Sequence, residues 1–287
     1  MVEYGKNLVP SLGANVIPDP PDERDYRFYN IPDENRILSS ASSLPSSVSW
    51  ESEMTTPKYQ GGLGSCVAFS ACALKEWQEA KEHKQEVEDG KVDHRDQKEY
   101  NFSEQWVYWN CKKVDGMPNA EGTYIRSALK VLQRIGVPTE EAWPYSDDKL
   151  NIGKPEGWAS LIARWATIGS YWNVGRGLQE LKRALVEGPV IIAIPCFAEM
   201  YGYLEKGYVS YPKDPSKIYS HHAILAVGYD DSKGIITIKN SWSQFWGRRG
   251  YGDFPYSYMD DFLMCAWMVK DISVTPDMLV GTKNLIE

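Results

Sequence analysis

Positive charge is in short supply: 31 Lys and Arg stand against 39 Asp and Glu, a formal net charge of −8. A nucleic-acid surface needs clustered cations to neutralise phosphates, so this balance argues against one. It equally disfavours an anionic membrane surface. No apolar run approaches the roughly 20 residues of a membrane span. The opening MVEYGKNLVPSLGANVIPDP lacks the basic and apolar regions of a secretory signal. Cysteine is scarce and odd in number, five in all, with no C-x-x-C pair. That excludes a disulfide framework and a zinc ribbon, and favours a cytoplasmic or otherwise reducing setting. Histidine is scarcer still, at four. Two of them, His83 and His94, fall in a charged stretch, so no metal or other cofactor is expected.

What is present is globular in character. Hydrophobic residues make up 43%, charged residues 24% and aromatics 13% of 287 residues. This suffices for one large domain or two small ones around a shared cleft. Residues 1–44 differ. They are rich in Pro, Asp, Asn and Ser and hold no sustained period, so they are expected to form an extended arm and linker. From about residue 45 helical patterns dominate. One helix opens at Cys66 and runs into a charged, solvated end. Another starts at Ser103 as N-cap, and a third covers about Tyr124 to Ile135 and is ended by Gly136. From about residue 151 strands dominate, with VIIAI, AILAVGY and IITIKN as buried runs. Helices followed by strands predict an α+β fold over 45–270 in two parts, with a tail at 271–287.

Three segments carry chemistry. In YQGGLGSCVAFS, Cys66 stands behind a glycine-rich turn at the mouth of an apolar helix. The unpaired N–H groups and partial positive charge of a helix N-terminus favour a thiolate. Gly64 and its neighbours admit a substrate backbone. Gln60 precedes the turn, where its amide and the Cys66 backbone N–H suit a developing oxyanion. In SHHAILAVGYDD, His222 starts a strand. In IKNSWSQFWGRRGYG, Asn240 ends the next one. A hairpin sets the start of one strand beside the end of the other, so a Cys–His–Asn set is predicted from topology. Taken singly, a Cys at a helix start is more often a buried small residue. The three occurring together, in order, reverse that preference.

These motifs resemble the papain family of cysteine peptidases. FSEQWVYWNC, EGTYIRSALKVLQRIGVPTEEAWPY, HHAILAVGY and the Asn segment all follow the family order across residues 45–270. The resemblance implies a papain-like two-part fold with a helical left part, a β-rich right part and substrate extended between them. It implies a peptidase acting on polypeptides without a metal: Cys66 the nucleophile, His222 the acid/base, Asn240 the orienting amide, Gln60 in the oxyanion hole. It implies substrate contacts from Gly64, Ser65, Gly122, Thr123 and His221, and an indole, Trp242, shielding the His–Asn bond. His222 is preferred over His221 because adjacent strand residues face opposite ways.

Leu63 stands where secreted members carry a half-cystine, which implies a bacterial or viral type without the structural disulfides. Glu121 replaces the first glycine of the usual pair and charges that wall. The arm is expected to lie in or across the cleft and limit access to Cys66. The competing readings are a catalytically silent binding or assembly module of the same fold, and the same chemistry on another acyl group.

Overall fold

Ser65 and the turn before it launch helix α1, Cys66–Glu88. Its first three turns are buried on all sides through Val67, Phe69, Ala71, Leu74 and Trp77, and its last turns emerge into solvent. The chain is described by a computed structural model for residues 13–28, 44–91, 100–148, 153–202 and 204–270. The expected tail at 271–287 lies outside the described residues. Two further helices pack beside α1: α2, Glu104–Val114, and α3, Ile125–Arg134. Ser103 caps α2 by accepting a hydrogen bond from the Trp106 N–H at 3.1 Å. Gly136, at φ +76°, ends α3 in the left-handed conformation that glycine adopts without strain.

The β strands form one antiparallel sheet. They are β1 (Ser47–Ser49), β2 (Ser170–Asn173), β3 (Val190–Cys196), β4 (Ser220–Asp230), β5 (Ile235–Lys239), β6 (Tyr251–Pro255) and β7 (Cys265–Lys270). The order is β2-β7-β3-β4-β5-β6, with β1 pairing β4. Strand β3 is buried along its whole length, and its period of two divides the interior. Ile191 and Ala193 join the core shared with α1, α2 and α3. Val190, Ile192 and Ile194 join a second core with α5 (Leu178–Glu187) and α6 (Tyr256–Phe262). A short α4, Ala159–Ala163, lies between the two halves of the sequence. The result is the expected α+β arrangement.

Two features of the sheet position the chemistry. Helix α1 lies against β4, so its N-terminus meets the start of that strand. Strands β4 and β5 form a hairpin in which Leu225 pairs with Lys239. Asp230 closes its turn by accepting from the Ser232 and Lys233 N–H groups. The start of β4 therefore lies beside the residue that follows β5.

Candidate active site

The turn before α1 is built from close backbone approaches. Gly61 has φ +63°, and a Cβ on Gly64 would come within 2.8 Å of the Gly122 nitrogen. No side chain caps α1. The Ser65 hydroxyl pairs with the Tyr145 hydroxyl at 2.6 Å. The helix N-terminus is thus left to the cleft, with Cys66 as its first residue.

His222 is the third residue of β4 and is fully buried, whereas His221 beside it is half-buried. Its Nε2 donates to the Asn240 Oδ1 at 2.8 Å, which fixes the tautomer and leaves Nδ1 free of any partner among the described residues. Trp242 stacks on the imidazole with ring centroids 4.6 Å apart and planes at 18°. Tyr201 stacks on Trp242 in turn at 5.3 Å. The indole therefore packs on the imidazole.

Gln60 is held on three sides. Its N–H donates to the Ser241 carbonyl at 2.9 Å, and its Oε1 accepts from the Ser241 hydroxyl at 2.6 Å. Its Nε2 donates to the carbonyls of Leu63 and Gly13, each at 2.9 Å. The Ser241 N–H also donates to Asn240 Oδ1 at 2.8 Å. One residue thus joins the amide beside the imidazole to the amide beside the thiol. Sequence reasoning missed Ser241, although its place between Asn240 and Trp242 was the available signal.

Residues 13–17 lie across these groups. The Val16 N–H donates to the His221 carbonyl at 3.0 Å, and the Ile17 N–H to the Thr123 carbonyl at 3.1 Å. Asn15 Nδ2 donates to Glu121 Oε2 at 3.0 Å. At Gly122, where φ is +81°, a Cβ would lie 1.7 Å from the Asn15 carbonyl oxygen. Thr123 turns its hydroxyl to Asp115 and gives the arm only its backbone.

Burial changes the electrostatics expected from the sequence. Burial pushes the Cys66 thiol up, against the backbone N–H groups of Ala223, Asn15, Val67 and Cys66 itself. Burial brings His222 down to about 4, opposed by its bond to Asn240. Both groups are neutral with the arm in place. The helix N-terminus favours the thiolate, but a fully desolvated charge costs more than that partial charge returns.

Residues 44–260 match the profile described as papain family cysteine protease. The chain is 25% identical to an uncharacterised peptidase C1-like protein of Acanthamoeba polyphaga mimivirus, over 75% of this chain and 69% of that one. It is 31% identical to a cathepsin L-like protein of Caenorhabditis elegans, over 84% and 71% respectively. Among solved structures it is similar to xylellain, a cysteine protease from Xylella fastidiosa, with a TM-score of 0.74, 26% identity, and 93% and 98% of the two chains covered. The chain belongs to the papain family of cysteine proteases. It is a cysteine-type peptidase acting on polypeptides, it has relatives among bacterial and viral members, and all five of its cysteines are free. The silent binding module is not favoured.

Proposed function

We propose that this peptidase is an endopeptidase, with Cys66 as nucleophile, His222 as acid/base, Asn240 as orienting amide and Gln60 as oxyanion donor, kept latent by its own N-terminal arm. His222 Nδ1 takes the thiol proton, and the thiolate attacks a peptide carbonyl. Gln60 Nε2 and the Cys66 N–H hold the oxyanion. His222 then protonates the leaving amine, and the thioester is hydrolysed by water that gives its proton to the same imidazole. Asn240 keeps Nε2 occupied so that Nδ1 faces the sulfur.

The observation that carries this reading is the Gly13 carbonyl, 2.9 Å from Gln60 Nε2. A peptide carbonyl thus rests on the amide proposed to bind the oxyanion. Twelve residues precede Gly13 in the sequence, so the segment lying there is internal, as an endopeptidase requires. Gly13 also offers a way to disturb the arm, because a Cβ there would lie 2.0 Å from the Leu63 carbonyl oxygen.

The test is cleavage of unstructured peptides blocked at both ends by wild type, Gly13→Ala and Cys66→Ala. Internal cleavage is expected, faster in Gly13→Ala than in wild type and absent in Cys66→Ala. Cleavage only of peptides with a free terminus would replace the endopeptidase reading. Equal rates for wild type and Gly13→Ala would remove latency from it. Peptide cleavage that survives in Cys66→Ala would remove the nucleophile.

A further inference from the structure

Past the thiol, the arm ends its run along the cleft in a set of hydrogen-bond donors that the peptidase mechanism does not use. The Trp267 indole Nε1 donates to Asp19 Oδ2 at 2.9 Å, and the Arg126 backbone N–H to Asp19 Oδ1 at 3.2 Å. The Arg126 guanidinium donates to the Asp25 carboxylate at 2.6 Å and the Pro20 carbonyl at 2.8 Å. Cys265 closes the other side, its sulfur 4.0 Å from Asp19 Oδ2. Arg126 is 7% exposed and Trp267 is fully buried. The guanidinium lies 5.4 Å from the Trp267 ring, and its Nε has no partner among the described residues.

We infer that Arg126 and Trp267 form a substrate subsite for an acidic side chain, which Asp19 and Asp25 of the arm occupy in the latent enzyme. The inference rests on the endopeptidase reading and names its substrate class.

The argument is one of unmet donors. Removing the arm leaves the Arg126 guanidinium, the Trp267 indole N–H and the Arg126 backbone N–H without their present acceptors. Asp19 answers the indole and the backbone N–H, and Asp25 the guanidinium, pairings that an aliphatic side chain cannot make. Two further cations stand near the pocket. Arg176 acts on Cys265, and Arg134 acts on Tyr171, which meets Trp267 edge-on at 5.9 Å. The carboxylates felt at Cys265 and Tyr171 are Asp19 and Asp25, both of the arm. Position fits as well. Asp19 lies two residues beyond Ile17, which is bonded to Thr123, and four beyond Asn15, whose N–H approaches the Cys66 sulfur. At ~3.3 Å per residue, any extended chain using the same backbone contacts brings a side chain to this pocket.

The host for the test is the full chain carrying Asp19→Asn and Asp25→Asn, which empties the pocket of carboxylates and keeps the arm. Peptides blocked at both ends are compared in pairs differing by Asp against Asn, or Glu against Gln, at each position. The acidic member is expected to be cleaved about ten-fold faster at one fixed distance from the scissile bond. Arg126→Met and, separately, Trp267→Phe should bring that ratio toward one while the amide peptides are still cleaved. A ratio near one in the host overturns the subsite and leaves the endopeptidase intact. A peptide whose only carboxylate is its free C-terminus is run alongside. If it alone is preferred, the pocket reads termini and the side-chain assignment fails. The same pairs are also measured for binding to the host carrying Cys66→Ala. Absence of all cleavage would sink the endopeptidase reading, and the binding ratio then decides the pocket by itself.

Discussion

Ser241 links two amides that must each hold one orientation. Its hydroxyl fixes Gln60 Oε1, so that Gln60 Nε2 points toward the cleft, and its N–H fixes Asn240 Oδ1. Gln60 has no exposed surface. A missing hydroxyl would leave its Oε1 buried and unpaired, a cost of about 1–3 kcal/mol that a rotation of the amide relieves by withdrawing Nε2. Ser241→Ala is therefore expected to lower kcat between several-fold and about a hundred-fold with little change in KM, since the lost contact acts on the oxyanion. Ser241→Thr keeps the hydroxyl and should restore much of the rate. The rate of Cys66 alkylation in arm-displaced enzyme should be the same in all three. A fall in alkylation that tracks kcat would mean that Ser241 supports the fold and not Gln60.

At the scale of the arm, two protonation changes oppose each other on docking. Burial raises Asp19 from 3.8 to about 6, against Arg126 and with Asp25 adding to the rise. Its contribution to docking is thus fully present below pH ~4 and lost as the pH climbs through about 6. Burial lowers His222 from 6.5 to about 4, and the groups in contact with its ring are Asn240 and Trp242. Its contribution is present above 6.5 and lost as the pH falls through about 4. The two nearly cancel in the wild type. In Asp19→Asn only the histidine remains, so docking should weaken on acidification from pH 6.5 to 4. Hydrogen exchange of the Val16 and Ile17 amides, corrected for intrinsic rates, reads this directly. Parallel pH profiles in the two proteins would show that Asp19 does not titrate with docking.

Across the whole molecule, the helices and the sheet share a buried ionic group behind the site. Lys58 Nζ lies 2.7 Å from Glu76 on α1 and 2.6 Å from Glu104 at the start of α2. Lys239 at the end of β5 donates to Thr55 at 2.9 Å, and Thr55 donates to Glu76. Burial raises Glu104 to about 8 against the pull of Lys58, and burial lowers Lys239 to about 8. Lys58→Met would leave Glu76 and Glu104 without their shared cation, and a loss of about 3–5 kcal/mol is expected in urea unfolding. Burial raises Glu104 above its ordinary 4.5, so its own contribution to folding is fully present below that pH and lost as the pH climbs toward about 8. Adding Glu76→Gln and Glu104→Gln to Lys58→Met should recover most of the loss in urea unfolding. A loss under about 1 kcal/mol would show that the group is solvated in solution.

The sequence by itself determined the elements and pointed to the proposed Cys–His–Asn set. Apolar period and glycine punctuation define α1, α3, β4 and β5 locally, and a hairpin must bring His222 toward Asn240. The odd cysteine count without a C-x-x-C pair argued against a disulfide framework, and Leu63, three residues before Cys66, stands where the resemblance implies a half-cystine in secreted relatives. Tertiary structure alone decided the protonation and the partners. Cys66 and His222 are fully buried, and burial raises the thiol and lowers the imidazole. Glu104 looked like a helix-start signal and proved to be buried against Lys58. The Ser65 hydroxyl pairs with that of Tyr145, 80 residues away. The Arg126 side chain meets Pro20, Asp25 and the Trp267 ring, none of them near it in the chain. Periodicity reports which way a side chain faces along its own element, but burial and charge depend on what packs against that face, which local sequence does not encode.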